Sequence, residues 1–156
     1  MKKLCGVLVA LWLAGYAGGA DRVNAQDATA EFRPLMEKVY AAWATLDASK
    51  PGRYYAKDPD LVFFDVAPPL KYKGWQEYED GFRKTVTEWK SIKLSLGPDL
   101  KAYKSGNFAW LTYTLNFEIE PRNGAPMKAQ ARGTDILEKH GNEWLIIHEH
   151  VSAPIP

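Results

Sequence analysis

The chain has a single cysteine, Cys5, in 156 residues, and only three histidines. It has no excess of either charge, with 20 basic against 19 acidic side chains. Each scarcity excludes something. One cysteine cannot close an internal disulfide or build a cysteine-ligated metal centre. A near-neutral balance leaves no electrostatic footprint for nucleic acid or an anionic membrane surface. No glycine-rich phosphate loop, nucleophile elbow, EF-hand loop or Cys–His pair occurs, so no cofactor and no metal are expected. After the first two dozen residues there is no long apolar run, and therefore no later membrane span is expected.

What is present begins with a leader. Lys2 and Lys3 precede an apolar stretch from Leu4 to Ala17, and Val23-Asn24-Ala25 has the small-residue pattern of a cleavage site. The pattern predicts a signal peptide over residues 1–25 and a periplasmic or secreted protein. Gly18-Gly19-Ala20 is a second cleavage position, and an uncleaved anchor is the alternative. Cys5 lies too early to follow the apolar stretch and carry a lipid. Cleavage after Ala25 removes Cys5 together with Lys2, Lys3, Arg22 and Asp21, so the remainder stays close to neutral and has no thiol.

Residues 26–156 read as one domain. An apolar fraction of 46% and a charged fraction of 25% are globular values. Six Trp and eight Tyr mean that aromatic side chains either fill the interior or line a cavity. Phe32, Leu35, Met36, Val39, Tyr40, Trp43 and Leu46 fall at helical spacing, with Asp27 or Thr29 to cap the start and Pro34 in the first turn or forcing a later one. A short second helix is expected over Ser49–Ala56, then a buried strand at Leu61–Phe64. Gly74 opens another helix with Trp75, Tyr78, Phe82, Val86 and Trp89 along one side. The period then switches to two at Ile92, Leu94 and Leu96. Turn signals at Ser105-Gly106-Asn107, Asn123-Gly124 and Gly141-Asn142 cut the rest into strands over Phe108–Glu120, Met127–Lys139 and Glu143–Val151. Strands joined by tight turns predict an antiparallel meander, and the helices pack on one side of it.

Two stretches carry a family resemblance. Leu61-Val62-Phe63-Phe64-Asp65-Val66-Ala67-Pro68-Pro69, continuing to Gly74, resembles the strand, proline-bearing loop and helix start of SnoaL-like proteins. Asn142-Glu143-Trp144-Leu145-Ile146-Ile147-His148-Glu149-His150-Val151-Ser152 is similar to the last strand of the same nuclear transport factor 2-like superfamily, which includes ketosteroid isomerase. The resemblance implies an α+β cone, a curved antiparallel sheet wrapped around N-terminal helices with one central, mostly apolar pocket. It also implies a homodimer paired through the sheet. This fold hosts isomerases, dehydratases, cyclases and non-catalytic binders, so the fold alone names no reaction.

The candidate residues follow from both readings. Asp65 ends an apolar strand and precedes a stiff Pro-Pro loop, which places a carboxylate at a cavity rim where desolvation suits a general base; otherwise it accepts backbone N–H groups of its own loop. Similarity to steroid isomerases gives Asp65 the proton-shuttling role, Tyr40 that of an oxyanion donor and Asp135 that of the protonated acid beside it. Asp135 has the alternatives of pairing with Arg132 or facing solvent. Strict alternation puts His148 and His150 on one strand face with Trp144, Ile146 and Ser152. One of them could pair with Asp65 across the cavity as in dehydratases of this fold, the two could hold a metal if a third ligand joined them, or both are structural. Arg132, if it points inward, would select a carboxylate-bearing ligand. Tyr54, Tyr55, Tyr72, Trp75 and Trp110 line the cavity mouth or pack the core. The expected partner is a small apolar or carboxylate-bearing molecule, bound for cofactor-free proton transfer or simply carried or sensed; the remaining alternative is an interaction module that dimerises or binds another protein through the outer sheet face.

Overall fold

The computed structural model describes residues 25–154, and the leader expected over residues 1–25 lies outside them except for Ala25. Helix α1 (Thr29–Trp43) buries Phe32, Met36, Val39, Tyr40 and Trp43, the face that its three-and-four spacing marks. Asp27 accepts the Thr29 N–H at 2.9 Å and steadies the start. Pro34 lies inside the helix rather than in its first turn. The helix expected over Ser49–Ala56 is instead one tight 3-10 turn at Pro51–Tyr54. Gly52 there lies under the Trp75 indole, where a Cβ would stand 2.9 Å from the ring, and Tyr55 is pulled out of the turn to bridge Ile146. Packing against Trp75 and the sheet overrides the local helical signal.

Eight strands form one sheet: β1 (Gln26–Asp27), β2 (Val62–Phe64), β3 (Tyr72–Lys73), β4 (Trp89–Leu96), β5 (Lys101–Ser105), β6 (Phe108–Pro121), β7 (Met127–His140) and β8 (Glu143–Ser152). Helix α2 (Gly74–Thr85) leads into β4 through a short 3-10 turn. Gly74 has φ +70, a backbone conformation that few other residues adopt, so it suits the abrupt start of α2. The strand order is β1-β5-β6-β7-β8-β2-β3, and β4 pairs with the other half of β6. The meander from β6 to β8 is antiparallel as expected, β5 adds to it in the same sense, and β2 joins β8 in parallel. Strand β5 was not foreseen, because its lysines and Tyr103 face out and only Ala102 is fully buried.

The curved, mostly antiparallel sheet carries both helices on its inner side, the nuclear transport factor 2-like arrangement. Along β6, Ala109, Leu111, Tyr113 and Leu115 point into the core while Phe108, Thr112 and Asn116 face out. Along β7, Ala131, Gly133, Asp135 and Leu137 do the same. Strand β8 breaks the rule. Ile136 pairs with His148 but Leu137 pairs with Ile146, so Ile147 is an extra residue and the strand bulges. After the bulge the inward set is Glu149 and Val151, and the histidines are outside. Among the described residues no helix is long and apolar enough to cross a membrane.

Candidate functional site

The helices and the sheet do not fill the space between them. A cavity of about 390 Å³ remains, lined by Tyr40 and Trp43 of α1, Tyr78 and Phe82 of α2, and apolar residues of β4, β6 and β7. Its polar groups are few. Asp65, from the end of β2, and Glu149, from β8, reach it, and among the described residues no Lys, Arg or His lines it. A pocket of this size, apolar with a few convergent polar groups, is the usual form of a small-molecule site.

The carboxyl groups are tied to tyrosines. Glu149, 2% exposed, accepts hydrogen bonds from Tyr55 Oη to Oε2 at 2.5 Å and from Tyr78 Oη to Oε1 at 2.7 Å. Tyr55 Oη in turn accepts the Trp43 indole N–H at 3.0 Å. Tyr78 Oη also lies 3.0 Å from Asp65 Oδ2. Asp65 Oδ1 has only a long bond, 3.4 Å, from the Ala67 N–H, so its loop-capping role is minor beside its place on the cavity wall. Asp135, fully buried, sits behind the cavity and accepts from Tyr113 Oη at 3.0–3.1 Å. Tyr113 Oη meets Tyr40 Oη at 2.5 Å. Tyr40 therefore reaches Asp135 only through Tyr113.

Local sequence explains this geometry. Tyr113 and Gly133 are directly opposed across β6 and β7, and a Cβ at position 133 would overlap the Tyr113 ring. The bare glycine lets that ring lie flat and present its hydroxyl to Asp135, two residues along on the same face. Gly133→Ala is expected to displace the ring, break the Tyr113–Asp135 contact and cost about 1–3 kcal/mol, read as a lower urea midpoint. Tyr72 stacks on Tyr78 with ring centres 4.9 Å apart and donates to Pro68 O at 3.0 Å, which holds the Asp65 loop against α2.

The electrostatics follow from burial. Asp135 and Glu149 are a direct cross-strand pair, an unfavourable register for two like charges. Burial pushes Glu149 up to about 7, against relief from Tyr55 and Tyr78. Burial, with Glu149 adding to it, raises Asp135 well above the carboxylate range. Burial also raises Asp65, partly offset by the Tyr78 bond. The hydroxyls of Tyr40, Tyr55, Tyr78 and Tyr113 are raised well above their ordinary value by burial and by these carboxyls, so all four keep their protons and serve as donors.

The expected site residues separate into two groups. Asp65 and Tyr40 line the cavity, and Asp135 stands behind it. Tyr55 is buried one layer below, as the donor to Glu149. Trp75 is buried in the core, ring to ring with Tyr55 at 4.7 Å, and donates to Glu79. The others are outside. Trp110 stacks on Tyr103 on the outer face, and Arg132 is exposed beside Ser152. His148 Nδ1 donates to Val62 O at 2.7 Å, while His150 is exposed against Phe64. The histidines do not share the face of Ile146, because the bulge at Ile147 shifts the alternation before them. The same shift turns Glu149 inward, and sequence reading passed over it for that reason. Tyr78 and Tyr113 were legible only as core. Among the described residues no group of three or more metal-binding side chains occurs.

Comparison with known proteins fits this architecture. The SnoaL-like domain family matches residues 33–156. A nuclear transport factor 2-like superfamily protein from Salmonella enterica serovar Typhimurium superposes with a TM-score of 0.73 at 20% identity, over 83% of this chain and 92% of that one. A Pseudomonas putida protein of the same fold gives 0.69 at 25% identity, over 83% and 88%. A Streptomyces avermitilis protein of that family, proposed to be a dehydratase, gives 0.70 at 16% identity, over 83% and 98%. No curated protein matches the chain by sequence.

Proposed function

Because the chain belongs to the SnoaL-like domain family, we propose that its cavity binds a small, uncharged, apolar carbonyl compound and moves a proton on it without a cofactor. The observation that carries this reading is the pair of carboxyl groups, Asp65 and Glu149, set in an apolar wall with no basic side chain to neutralise them. Burial raises both, Glu149 to about 7, and a raised carboxyl is what general acid–base chemistry draws on. Asp65 is the base, since Oδ1 is its freer oxygen and it lies on the wall. Tyr40, also on the wall, donates to the oxygen on which charge develops when Asp135, raised by burial, keeps its proton and donates to Tyr113, which donates in turn to Tyr40. Isomerisation and dehydration both begin with this step, and two of the superposed proteins are proposed dehydratases, one of them of the scytalone type. An anionic ligand is disfavoured, because Arg132 lies on the outer face.

The test is exchange at carbon. Apolar ketones incubated with the protein in heavy water are expected to take up deuterium next to the carbonyl faster than in buffer, followed by proton NMR. A second reading, a carrier without chemistry, draws support from one fact: among the described residues every buried polar side-chain atom already has a partner. Saturable ketone binding with no exchange would favour the carrier and end the catalytic reading.

A further inference from the structure

The hydroxyl of Tyr78 is 3.0 Å from Asp65 Oδ2 and 2.7 Å from Glu149 Oε1. A tyrosine hydroxyl has one hydrogen to give. Its surroundings supply no replacement. The Tyr55 hydrogen is spent on Glu149 Oε2, and the Trp43 N–H on Tyr55. No basic side chain lines the cavity. If both carboxyls were ionised, one would face the lone pairs of Tyr78 Oη at hydrogen-bond distance with nothing between them. One carboxyl must therefore donate.

We propose that Asp65, Tyr78 and Glu149 hold one shared proton, and that Glu149 sets the protonation of Asp65 through the Tyr78 hydroxyl. In one arrangement Asp65 carries the proton and donates to Tyr78 Oη, while Tyr78 donates to Glu149. In the other Glu149 carries it and donates to Tyr78 Oη, while Tyr78 donates to Asp65. Passing between them breaks the Asp65 O–H and Tyr78 O–H bonds and forms a new Tyr78 O–H and a Glu149 O–H. Tyr78 ends neutral, and the trio keeps one negative charge throughout. Asp65 thus faces the cavity as a base when Glu149 is loaded, and is protonated, with its hydrogen held by Tyr78, when Glu149 is not. Glu149 is a positioning residue. Asp135 faces Glu149 from β7, held by Tyr113 and, beyond it, Tyr40. Among the described residues no hydrogen bond joins Asp135 to the trio, and its charge when ionised favours the proton on Glu149.

This inference deepens the acid–base reading of the cavity and rests on it for its use, but its test needs no ligand. Carbon-13 NMR of labelled Asp and Glu carboxyls, followed through a pH titration of the protein, reads each midpoint directly. Below about pH 7 one of the two carboxyls, Asp65 or Glu149, is expected to remain protonated. Asp65→Asn is expected to lower the Glu149 midpoint, because the amide donates to Tyr78 and frees its hydrogen for Glu149. Glu149→Gln is expected to lower the Asp65 midpoint for the mirrored reason. Both effects should largely vanish in a Tyr78→Phe background whose fold is checked by circular dichroism. Equal effects with Phe and with Tyr would mean simple charge repulsion through space and would overturn the proposal. Should Tyr78→Phe not fold, fluorotyrosine incorporation replaces it: a stronger donor at position 78 lowers the Asp65 midpoint, and no movement there overturns the proposal equally. Because no ketone takes part, failed exchange at carbon leaves this result standing, and the reverse also holds.

Discussion

An Asp65→Asn variant is expected to lose about 10²–10⁴-fold in deuterium exchange into a ketone, while its affinity for that ketone changes little. The asymmetry follows from the site. Asparagine has nearly the shape of aspartate and can still meet Tyr78 and the Ala67 N–H, so the wall keeps its form. What it lacks is a lone pair basic enough to take a proton from carbon. The apolar side chains that grip the ligand, such as Trp43, Phe82 and Leu115, are untouched. Isothermal titration beside the exchange rate separates the two effects. A proportionate loss of binding and exchange would mean that Asp65 anchors the ligand rather than reacting with it.

Stability is expected to fall as pH rises from about 4.5 to 7, and Glu149→Gln is expected to flatten that fall. Glu149 has an ordinary value of 4.5 and is pushed to about 7 in the folded protein. A folded-state value raised in this way gives stability that is fully present below 4.5 and lost as pH climbs through about 7. Each pH unit between the two is worth about 1.4 kcal/mol, so ionising Glu149 costs about 3 kcal/mol at mildly alkaline pH. Asp65 and Asp135 are raised as well and push the same way. Asp27, Asp47, Asp99 and Glu118 are lowered by their hydrogen-bond partners, so their contribution is lost only toward strong acid. The optimum therefore lies on the acid side of neutral. Glutamine at 149 keeps an oxygen for Tyr55 and an N–H for Tyr78 without the charge. Urea unfolding at about pH 5 and about pH 8 is the check, with the variant more stable than the parent at the higher pH. A parent equally stable at both would show that Glu149 ionises freely in the fold.

Much of this fold could be read from periodicity. The α1 face, the switch to period two at Ile92 and the turn glycines 106, 124 and 141 all act locally, so residue order exposes them. Asp135 is singled out only by the resemblance to steroid isomerases, because alternation along β7 does not say which of its two rows faces inward. The failures are places where distant packing overrides local preference. Ser49 and Pro51 carry a helix-start signal, but the Trp75 ring on Gly52 and the pull of the sheet on Tyr55 hold the segment in a single turn. Glu149 sits between two histidines, and counting by twos from Ile146 sends it outside. Only the bulge at Ile147 turns it in, and no residue type at that position announces a bulge. Tyr78 and Tyr113 look like any buried aromatic until their partners, Glu149 and Asp135, are placed. Asp65 and Tyr40 were thus foreseen, and Glu149 on the same wall was not.

The parallel pairing of β2 with β8 has a bearing on when, and not only how, the pocket comes into being. Phe63 pairs with Glu149, and Phe64 with His150, joining the strand before Asp65 to the last strand of the sheet. Contacts so far apart along the chain carry a large loop-closure cost and form late, after local hairpins have supplied a template. The β6–β7 hairpin can zip early around its turn, yet the two acids meet only when β8 docks and β2 pairs onto its free edge. A growing polypeptide therefore lacks the acid pair until β8 has been made. Synthesis of β8 is thus the step that brings Asp65 and Glu149 to one wall.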